Sequence, residues 1–221
     1  MHTLFFIWIM NEHPVFPVFL AIGGKSCFIV GGGKIALRKA HDLLEAGADV
    51  TVVADNPSQE IRVLSDRGLI KLRTKRFEES DIVGAYLVFA ATDDSAVNAG
   101  VALAAHKNHA LINTVDTPEL CEFFSGAVVR RGRLRIAVST SGSCPGLARQ
   151  LKKEIEEMYS DAIVAFIDAA SEMRSYILDR KLETGIKNHA LSWLTQPETR
   201  TFFFNHGKER TWQELKKLIS S

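Results

Sequence analysis

A run of three glycines between an apolar segment and a helical pattern carries the most specific chemistry in this sequence. The apolar run 27–30 is followed by the segment 31–36, GGGKIA, which has the pattern G-x-G-x-x-A. In such a turn Gly31 permits the tight bend, Gly33 lets backbone N–H groups approach a pyrophosphate, and Ala36 allows the helix to pack closely on the strand. The helix then directs unpaired N–H groups and its positive dipole end at the phosphates. Because the motif lies between a predicted strand and a predicted helix, it predicts a dinucleotide site rather than a glycine-rich turn of some other α/β fold.

An acidic residue after the second strand usually accompanies this turn, and it binds the ribose of NAD. Here the second apolar run, 50–53, is followed by Ala54 at the position of that acid, and Asp55 comes one residue later. The sequence therefore predicts NAD as the cofactor, but it favours NAD over NADP only weakly.

Two more polar clusters, at 91–94 and 113–116, follow apolar runs. Ligands in open α/β sheets bind beyond the carboxyl ends of the strands, where these clusters are expected. For Asp94 and Ser95 helix capping is the favoured interpretation. For three others, ligand contact is as good an explanation as turn formation: Thr92, Asp93 and Asp116.

Histidine and cysteine positions give no metal signature. His106 and His109 are three residues apart near the end of a predicted helix, with no third ligand nearby, so we expect no metal site. Cys27, Cys121 and Cys144 are odd in number and lack C-x-x-C spacing, which argues against a disulfide framework or a zinc site and fits a reducing cytoplasm. We expect Cys121 and Cys144 to be small buried or half-buried residues rather than nucleophiles.

The composition is that of an ordinary globular protein. The chain has 221 residues, 46% hydrophobic and 24% charged, with a formal net charge of +1. This balance gives no electrostatic reason to expect nucleic acid or a membrane surface as a partner. The N-terminal segment MHTLFFIWIM is apolar, but it is shorter than the ~20 residues needed to span a bilayer, and it lacks signal-peptide features. We therefore expect a cytoplasmic protein.

The elements that must position these residues alternate between strand and helix. Apolar runs near 27–30, 50–53, 69–72, 86–91 and 110–112 predict five strands. Helical patterns between them, with Ser58 as an N-cap and Gly47 as a stop, predict a doubly wound parallel sheet that ends near Asn113. Ile35 and Leu103 are expected on inner helix faces, and the basic residues of 71–76 on a solvated flank.

Beyond this sheet the pattern changes. Two runs, 126–130 and 134–138, predict an antiparallel hairpin, and the small-residue loop 139–145 leads into a helix. The chain is expected to be helical from Leu147 onward, with one apolar stripe from Ile155 to Ile177. A capping box at 211–214 is expected to open the last helix. The predicted division is 1–113, a nucleotide-binding domain; 114–146, a dimerisation and active-site segment; and 147–221, a helical domain.

Five motifs in order resemble the precorrin-2 dehydrogenase family, the dehydrogenase and ferrochelatase part of siroheme synthase. They are VGGGKIALRK, GADVTVVA, AATDDSAVN, NTVDTPELCEF and IAVSTSGSCPGLAR, and the resemblance runs from about Phe16 to Arg149. Nothing resembles the methyltransferase domain of some members, so the stand-alone form is expected. The resemblance implies a Rossmann-like sheet, a small hairpin segment that mediates a homodimer, and a C-terminal helical domain.

The resemblance also implies the reaction, which is the NAD-dependent oxidation of precorrin-2 to sirohydrochlorin, followed in some members by Fe²⁺ insertion. Asp116 matches the aspartate assigned as general acid/base, a role that fits a step in which a hydride and a proton leave the substrate. The residues expected to bind the cofactor are Gly31, Gly32, Gly33, Lys34, Ile35, Asp55, Asn56, Thr92, Asp93, Asn113 and Val115.

Precorrin-2 carries eight carboxylates, so its site needs cationic or N–H donors. The residues expected to bind it are Arg130, Arg131, Arg149, Ser139, Ser141 and Ser143. For any single arginine a solvated surface position is the simpler explanation. Two rival functions remain open: an NAD-binding regulatory module, and a chelatase that has lost the oxidation step.

Overall fold

The computed structural model of the chain describes residues 15–115 and 117–220. These residues fall into two compact units, with the boundary between Ser125 and Gly126. Asp116, the predicted general acid/base, lies outside the described residues, as does the apolar N-terminal segment. The predicted division into three domains stays a prediction.

The first unit is built on a five-stranded parallel sheet with the order β3-β2-β1-β4-β5, which confirms the predicted doubly wound fold. The strands are β1 Ser26–Val30, β2 Asp49–Val53, β3 Lys71–Arg73, β4 Leu87–Ala90 and β5 Leu111–Thr114. After β3 the chain crosses over β2 and β1 to form β4 on the far side of β1. The carboxyl ends of β1 and β4 therefore mark the point where the strand order reverses, which is the usual ligand position in such sheets.

Three helices cover this sheet: α1 Lys34–Glu45, α2 Gln59–Asp66 and α3 Ser95–Lys107. Short 3₁₀ turns at Glu79–Ile82 and Pro118–Leu120 complete the unit. The predicted N-cap Ser58 accepts a hydrogen bond from the Ile61 backbone N–H at 3.5 Å, and Asp94 Oδ1 accepts from the Ala96 N–H at 2.8 Å. Both predicted caps are confirmed, so local sequence determines where α2 and α3 begin.

Both faces of the sheet are buried. Cys27 and Ile29 pack under α1 and α2, whereas Phe28 and Val30 pack under α3, and this two-sided burial is why β1 is a continuous apolar run. The predictions for Ile35 and Leu103 were wrong, since these side chains are 37% and 64% exposed. Each lies one position away from the buried stripe of its helix, which in α1 is formed by 36, 39, 40 and 43.

The second unit begins with an antiparallel hairpin, β6 Ala127–Arg131 and β7 Leu134–Val138. Four helices follow: α4 Pro145–Met158, α5 Ala162–Leu178, α6 Thr184–Thr195 and α7 Pro197–Ser220. Met173, Ile177 and Leu215 are fully buried in the core of this helical part. None of the helices in the described part of the chain is long and apolar enough to cross a membrane.

The helical part departs from prediction at two points. The stripe predicted as one helix is interrupted between α4 and α5, where the Arg131 guanidinium donates to the carbonyls of Tyr159 at 3.2 Å and Glu156 at 3.5 Å. No capping box opens a helix at Thr211. Instead α7 is kinked at Gly207, which has φ +80°, and the buried Thr211 hydroxyl donates to the Gly207 carbonyl at 2.8 Å. At the first place a contact with a distant residue, Arg131, stabilises the helix end, whereas at the second the kink depends on Gly207 itself and a bond within the same helix.

Candidate functional site

The three consecutive glycines differ in what the fold requires of them. Gly31 has φ +128°, and a Cβ there would lie 2.2 Å from the Ala91 carbonyl oxygen. A Cβ on Gly32 would lie 2.7 Å from Pro57 Cα, whereas a Cβ on Gly33 would meet no atom within 4 Å. The fold therefore requires the first two glycines, whereas the space over Gly33 is open to solvent.

This open space lies at the N-terminus of α1. Gly33 is the N-cap of α1 and has no side chain to satisfy the first-turn N–H groups. The hydrogen bonds within the helix begin with the Leu37 N–H, which donates to the Gly33 carbonyl at 3.0 Å. The exposed Lys34 adds a positive charge at the same point. Unpaired N–H groups, the helix dipole and a cation together suit a phosphate or pyrophosphate.

A cleft of about 580 Å³ opens at the carboxyl ends of β1, β2 and β4. Four of the predicted cofactor residues line it: Gly31, Asp55, Thr92 and Asp93. The other predicted cofactor residues do not line this cleft: Gly32, Gly33, Lys34, Ile35, Asn56, Asn113 and Val115. The structure thus brings the glycine turn together with the polar residues that follow β2 and β4.

The turn after β4 is held by the buried Asn98. Its Oδ1 accepts from the Thr92 hydroxyl at 2.7 Å and from the Thr92 N–H at 3.2 Å, and its amide donates back to the Thr92 carbonyl at 2.9 Å. Thr92 therefore uses its hydroxyl within the protein. Asp93, next to it, is exposed and forms no hydrogen bond or ion pair with the described residues, so its carboxylate is free for a ligand.

Sequence reasoning missed the cationic wall of this cleft, formed by Lys75 and Arg76. Arg73 and Lys75 are 45% and 38% exposed, as expected of a solvated flank, but they also bind the buried Asp81 at 3.1 Å and 3.3 Å, which the sequence did not predict. Burial alone would raise the pKa of Asp81, but hydrogen bonds from the Glu78 N–H, Arg73 and Lys75 outweigh it and lower that pKa. Their position in the sequence could have predicted this wall, because Lys75 and Arg76 come just after the carboxyl end of β3, the edge of the sheet where ligands bind.

The segment around β5 is fixed by Cys121. Its half-buried thiol accepts a hydrogen bond from the Thr114 N–H at 3.1 Å and donates to the Thr114 carbonyl at 3.2 Å. Asn113 donates to the Phe123 carbonyl at 2.9 Å, and the Val115 N–H donates to the Ala90 carbonyl at 2.9 Å. Burial raises the pKa of the Cys121 thiol, which keeps it neutral. Cys121 is therefore a structural residue, as predicted.

Comparison with known proteins finds two family models that match the chain. Residues 18–127 match the family model described as putative NAD(P)-binding, and residues 131–158 match the central region of sirohaem biosynthesis proteins. The chain thus resembles sirohaem biosynthesis proteins in this central region and NAD(P)-binding domains over its first unit. This confirms the resemblance drawn from the five motifs and the NAD(P)-binding class of the first unit.

Siroheme synthases are among the similar curated proteins. That of Methylococcus capsulatus is 44% identical over 173 residues, which cover 78% of this chain and 36% of the relative. That of Nitrosococcus oceani is 37% identical over 177 residues, or 80% of this chain and 37% of the relative. The chain thus spans little more than a third of the length of those relatives. A solved structure, SirC, precorrin-2 dehydrogenase, is 28% identical with a TM-score of 0.78 and covers 92% of this chain and 100% of its own.

All six residues predicted to bind substrate lie in the second unit. Arg130 faces Arg135 in the hairpin register, and Arg149 is exposed in the first turns of α4. Arg131 is engaged with the end of α4, as described above. These roles stay predictions.

The loop before α4 is held by its own hydrogen bonds. The Ser139 hydroxyl accepts from the Ser141 N–H at 3.1 Å, and the Thr140 hydroxyl accepts from the Cys144 N–H at 3.0 Å. Ser141 has φ +52°, and Ser143 is exposed. Cys144 is also exposed, so the prediction that it is at least half-buried was wrong.

Metal ligands are not clustered in the part of the chain that the structure describes, where no group of three or more His, Cys, Asp or Glu residues could hold an ion. His106 Nε2 instead lies 3.8 Å from Glu122 Oε1.

Proposed function

We propose that this protein is an NAD-dependent precorrin-2 dehydrogenase, which oxidises precorrin-2 to sirohydrochlorin. The observation that carries the proposal is the open space over Gly33 at the N-terminus of α1, beside the cleft at the switch point of the sheet. The family models support it, and so does the similarity to SirC, whose whole length this chain covers.

The residues present fit a dinucleotide. The first-turn N–H groups of α1 and Lys34 would hold the pyrophosphate, and Asp55 in the adjoining cleft would accept hydrogen bonds from a ribose. When bound, the nicotinamide supplies the acceptor for a hydride. What the protein adds is a fixed set of N–H donors at the N-terminus of α1 and, in the adjoining cleft, the carboxylates of Asp55 and Asp93.

Asp116 is proposed as the general base. Precorrin-2 and sirohydrochlorin differ by two hydrogen atoms, which leave as a hydride and a proton. In sequence Asp116 comes two residues after the end of β5, and ligands in this fold class bind beyond the carboxyl ends of the strands. Its carboxylate would accept the proton and release it to solvent.

The remaining assignments complete the proposal. Arg130, Arg131, Arg149 and the serines of the 139–143 loop would bind the substrate's carboxylates, and the protein would act as a homodimer. A reducing, cytoplasmic location fits its cysteines, all three of which are free.

The test is anaerobic incubation of the purified protein with precorrin-2, with and without NAD⁺, followed by absorption spectra. We expect sirohydrochlorin to form only with NAD⁺. Asp116→Asn should abolish turnover yet keep the fold and NAD⁺ binding, whereas the matched control Glu119→Gln, an exposed carboxylate three residues along, should keep turnover.

Three other outcomes would contradict the proposal. Full activity of Asp116→Asn would remove the general-base assignment. Bound NAD⁺ without oxidation of precorrin-2 would favour a regulatory module. Insertion of Fe²⁺ into supplied sirohydrochlorin, with no oxidation step, would favour a chelatase.

A further inference from the structure

Lys39 is a buried cation on the inner face of α1. It is 8% exposed, and it forms no hydrogen bond or ion pair with the described residues. Its Nζ atom lies instead 4.8 Å from the centre of the Phe89 ring on β4. Burial lowers the pKa of Lys39, and Arg38 lowers it further, whereas Asp42 opposes both. Burying an ammonium without a carboxylate partner is unfavourable, so this position calls for a reason beyond packing.

The side chain of Lys39 is directed toward the edge of the sheet at which ligands bind. Side chains on a helix lean toward its N-terminus, and the N-terminus of α1 follows the carboxyl end of β1. Phe89 comes two residues before Ala91, whose carbonyl oxygen is the atom that a Cβ on Gly31 would meet. Two residues of a strand span about 7 Å, so this cation is close to the glycine turn.

The proposed dinucleotide site gives the cation a neighbour. In that site Asp55, after β2, binds one ribose, and the N-terminus of α1 holds the pyrophosphate. The pyrophosphate joins the two halves of a dinucleotide, so the nicotinamide half extends from α1 away from β2, toward the ends of β4 and β5. Lys39 is on this side, because Phe89 pairs with Asn113 of β5, and Val115 packs against the same apolar cluster as Phe89.

A fixed positive charge at this place distinguishes the two oxidation states of the cofactor. The nicotinamide ring carries one positive charge in NAD⁺ and none in NADH. Hydride transfer brings two electrons and one hydrogen nucleus from the substrate to the ring, while the substrate's proton leaves to the general base. Repulsion between the ammonium and the ring is therefore present before the transfer and absent after it. Because the ammonium is buried, salt screens this repulsion only weakly.

We propose that Lys39 weakens the binding of NAD⁺ relative to NADH and thereby favours hydride transfer to the bound cofactor. This rests on the proposed dinucleotide site and adds to it the residue that sets the relative affinity for the two cofactor forms. The Phe89 ring attracts the ammonium without neutralising it, so the charge stays available. A carboxylate partner in its place would cancel the repulsion.

The test is calorimetric titration of the full chain with NAD⁺ and with NADH, which gives the ratio of the two dissociation constants. Lys39→Met keeps the length of the side chain and removes its charge. The ratio Kd(NAD⁺)/Kd(NADH) should then fall about tenfold, the effect of a unit charge about 12 Å from the ring at an effective dielectric constant of about 20. Effects on the phosphates cancel in the ratio, because both cofactor forms carry them.

Two variants serve as matched controls. Lys39→Arg keeps the positive charge and should change the ratio by less than about twofold. Lys25 also lies over an aromatic ring, that of Tyr86 at 5.5 Å, but it is exposed and directly precedes β1, at the opposite edge of the sheet. Lys25→Met should therefore leave the ratio unchanged.

The outcomes separate this inference from the proposed function. An unchanged or increased ratio in Lys39→Met would overturn the inference and leave Lys39 as a residue that only holds α1 against β4. An equal change in Lys25→Met would overturn it too, because the effect would then reflect overall charge. A wild type that binds neither nucleotide would remove the dinucleotide site itself, and this inference with it. Thermal unfolding of each variant monitors folding, and Lys39→Gln gives the same measurement if Lys39→Met does not fold.

Discussion

Replacing Gly33 by alanine should separate what the fold needs from what the ligand needs. Gly33 has φ −91° and ψ −168°, which any residue adopts, and the added Cβ would meet no protein atom within 4 Å. Alanine is a poorer N-cap than glycine, so we expect a loss of at most about 1 kcal/mol in the free energy of unfolding. The thermal midpoint should fall by only a few degrees.

Dinucleotide binding should suffer much more. The new methyl group would occupy the space through which a pyrophosphate reaches the first-turn N–H groups of α1. Losing one hydrogen bond to a charged acceptor is worth about 1.5–3 kcal/mol, which corresponds to a Kd about 10 to 100 times higher. Titration of NAD⁺ by calorimetry measures this directly, with thermal unfolding of the same samples as the stability readout.

Gly31→Ala is the matched control, because it should reduce the stability of the fold strongly, whereas Gly33→Ala should mainly weaken NAD⁺ binding. A Cβ there would lie 2.2 Å from the Ala91 carbonyl oxygen on a backbone with φ +128°, so this variant should lose most of its stability. Unaltered NAD⁺ affinity in Gly33→Ala would show that no pyrophosphate lies over Gly33. Unfolding of Gly33→Ala would show that the fold itself needs glycine there, and either result would refute the reasoning.

Two predictions concern residues that support the cleft. Asp81→Asn should lower the free energy of unfolding by about 1–2 kcal/mol, discounted because its partners Arg73 and Lys75 are 45% and 38% exposed. The pKa of Asp81 is lowered in the folded state, so the stability that its charge contributes depends on pH. The difference in the free energy of unfolding between wild type and variant should have its full size above the unfolded-state pKa of about 3.9. It should shrink as the pH falls through the lower folded-state pKa, and urea unfolding at several pH values measures this. Cys121→Ala leaves the Thr114 backbone groups without the thiol and should lower stability by about 1–2 kcal/mol, whereas Cys121→Ser should restore part of it; equal unfolding midpoints for both variants would contradict this.

The first unit could be predicted from sequence because its information is local. A strand buried on both faces appears as a continuous apolar run, and the side chains that begin α2 and α3 are adjacent in sequence to the groups they cap. Gly31, Asp55, Thr92 and Asp93 were placed in one site because the ends of parallel strands meet at one edge of the sheet.

The features that sequence could not predict depend on contacts between distant residues. The break after α4 is stabilised by Arg131, which lies 28 residues before the carbonyl of Tyr159 that it binds. Lys75 and Arg76 were interpreted only as solvated surface because nothing in their neighbourhood shows that the chain continues beside β2 at that point. The pairing of Lys75 with Ala54 joins segments 21 residues apart, and only the sheet register reveals it.

The glycine turn shows why a sequence motif can indicate a fold more securely than a ligand. Gly31 and Gly32 are required by backbone atoms of neighbouring segments, and these contacts would exist whether or not a dinucleotide bound. Only the open position at Gly33 depends on what approaches from outside. A chain that kept this fold and lost its nucleotide could therefore replace Gly33 while retaining the other two. Because no protein contact requires glycine at position 33, the Gly33→Ala titration is the measurement that separates binding from folding.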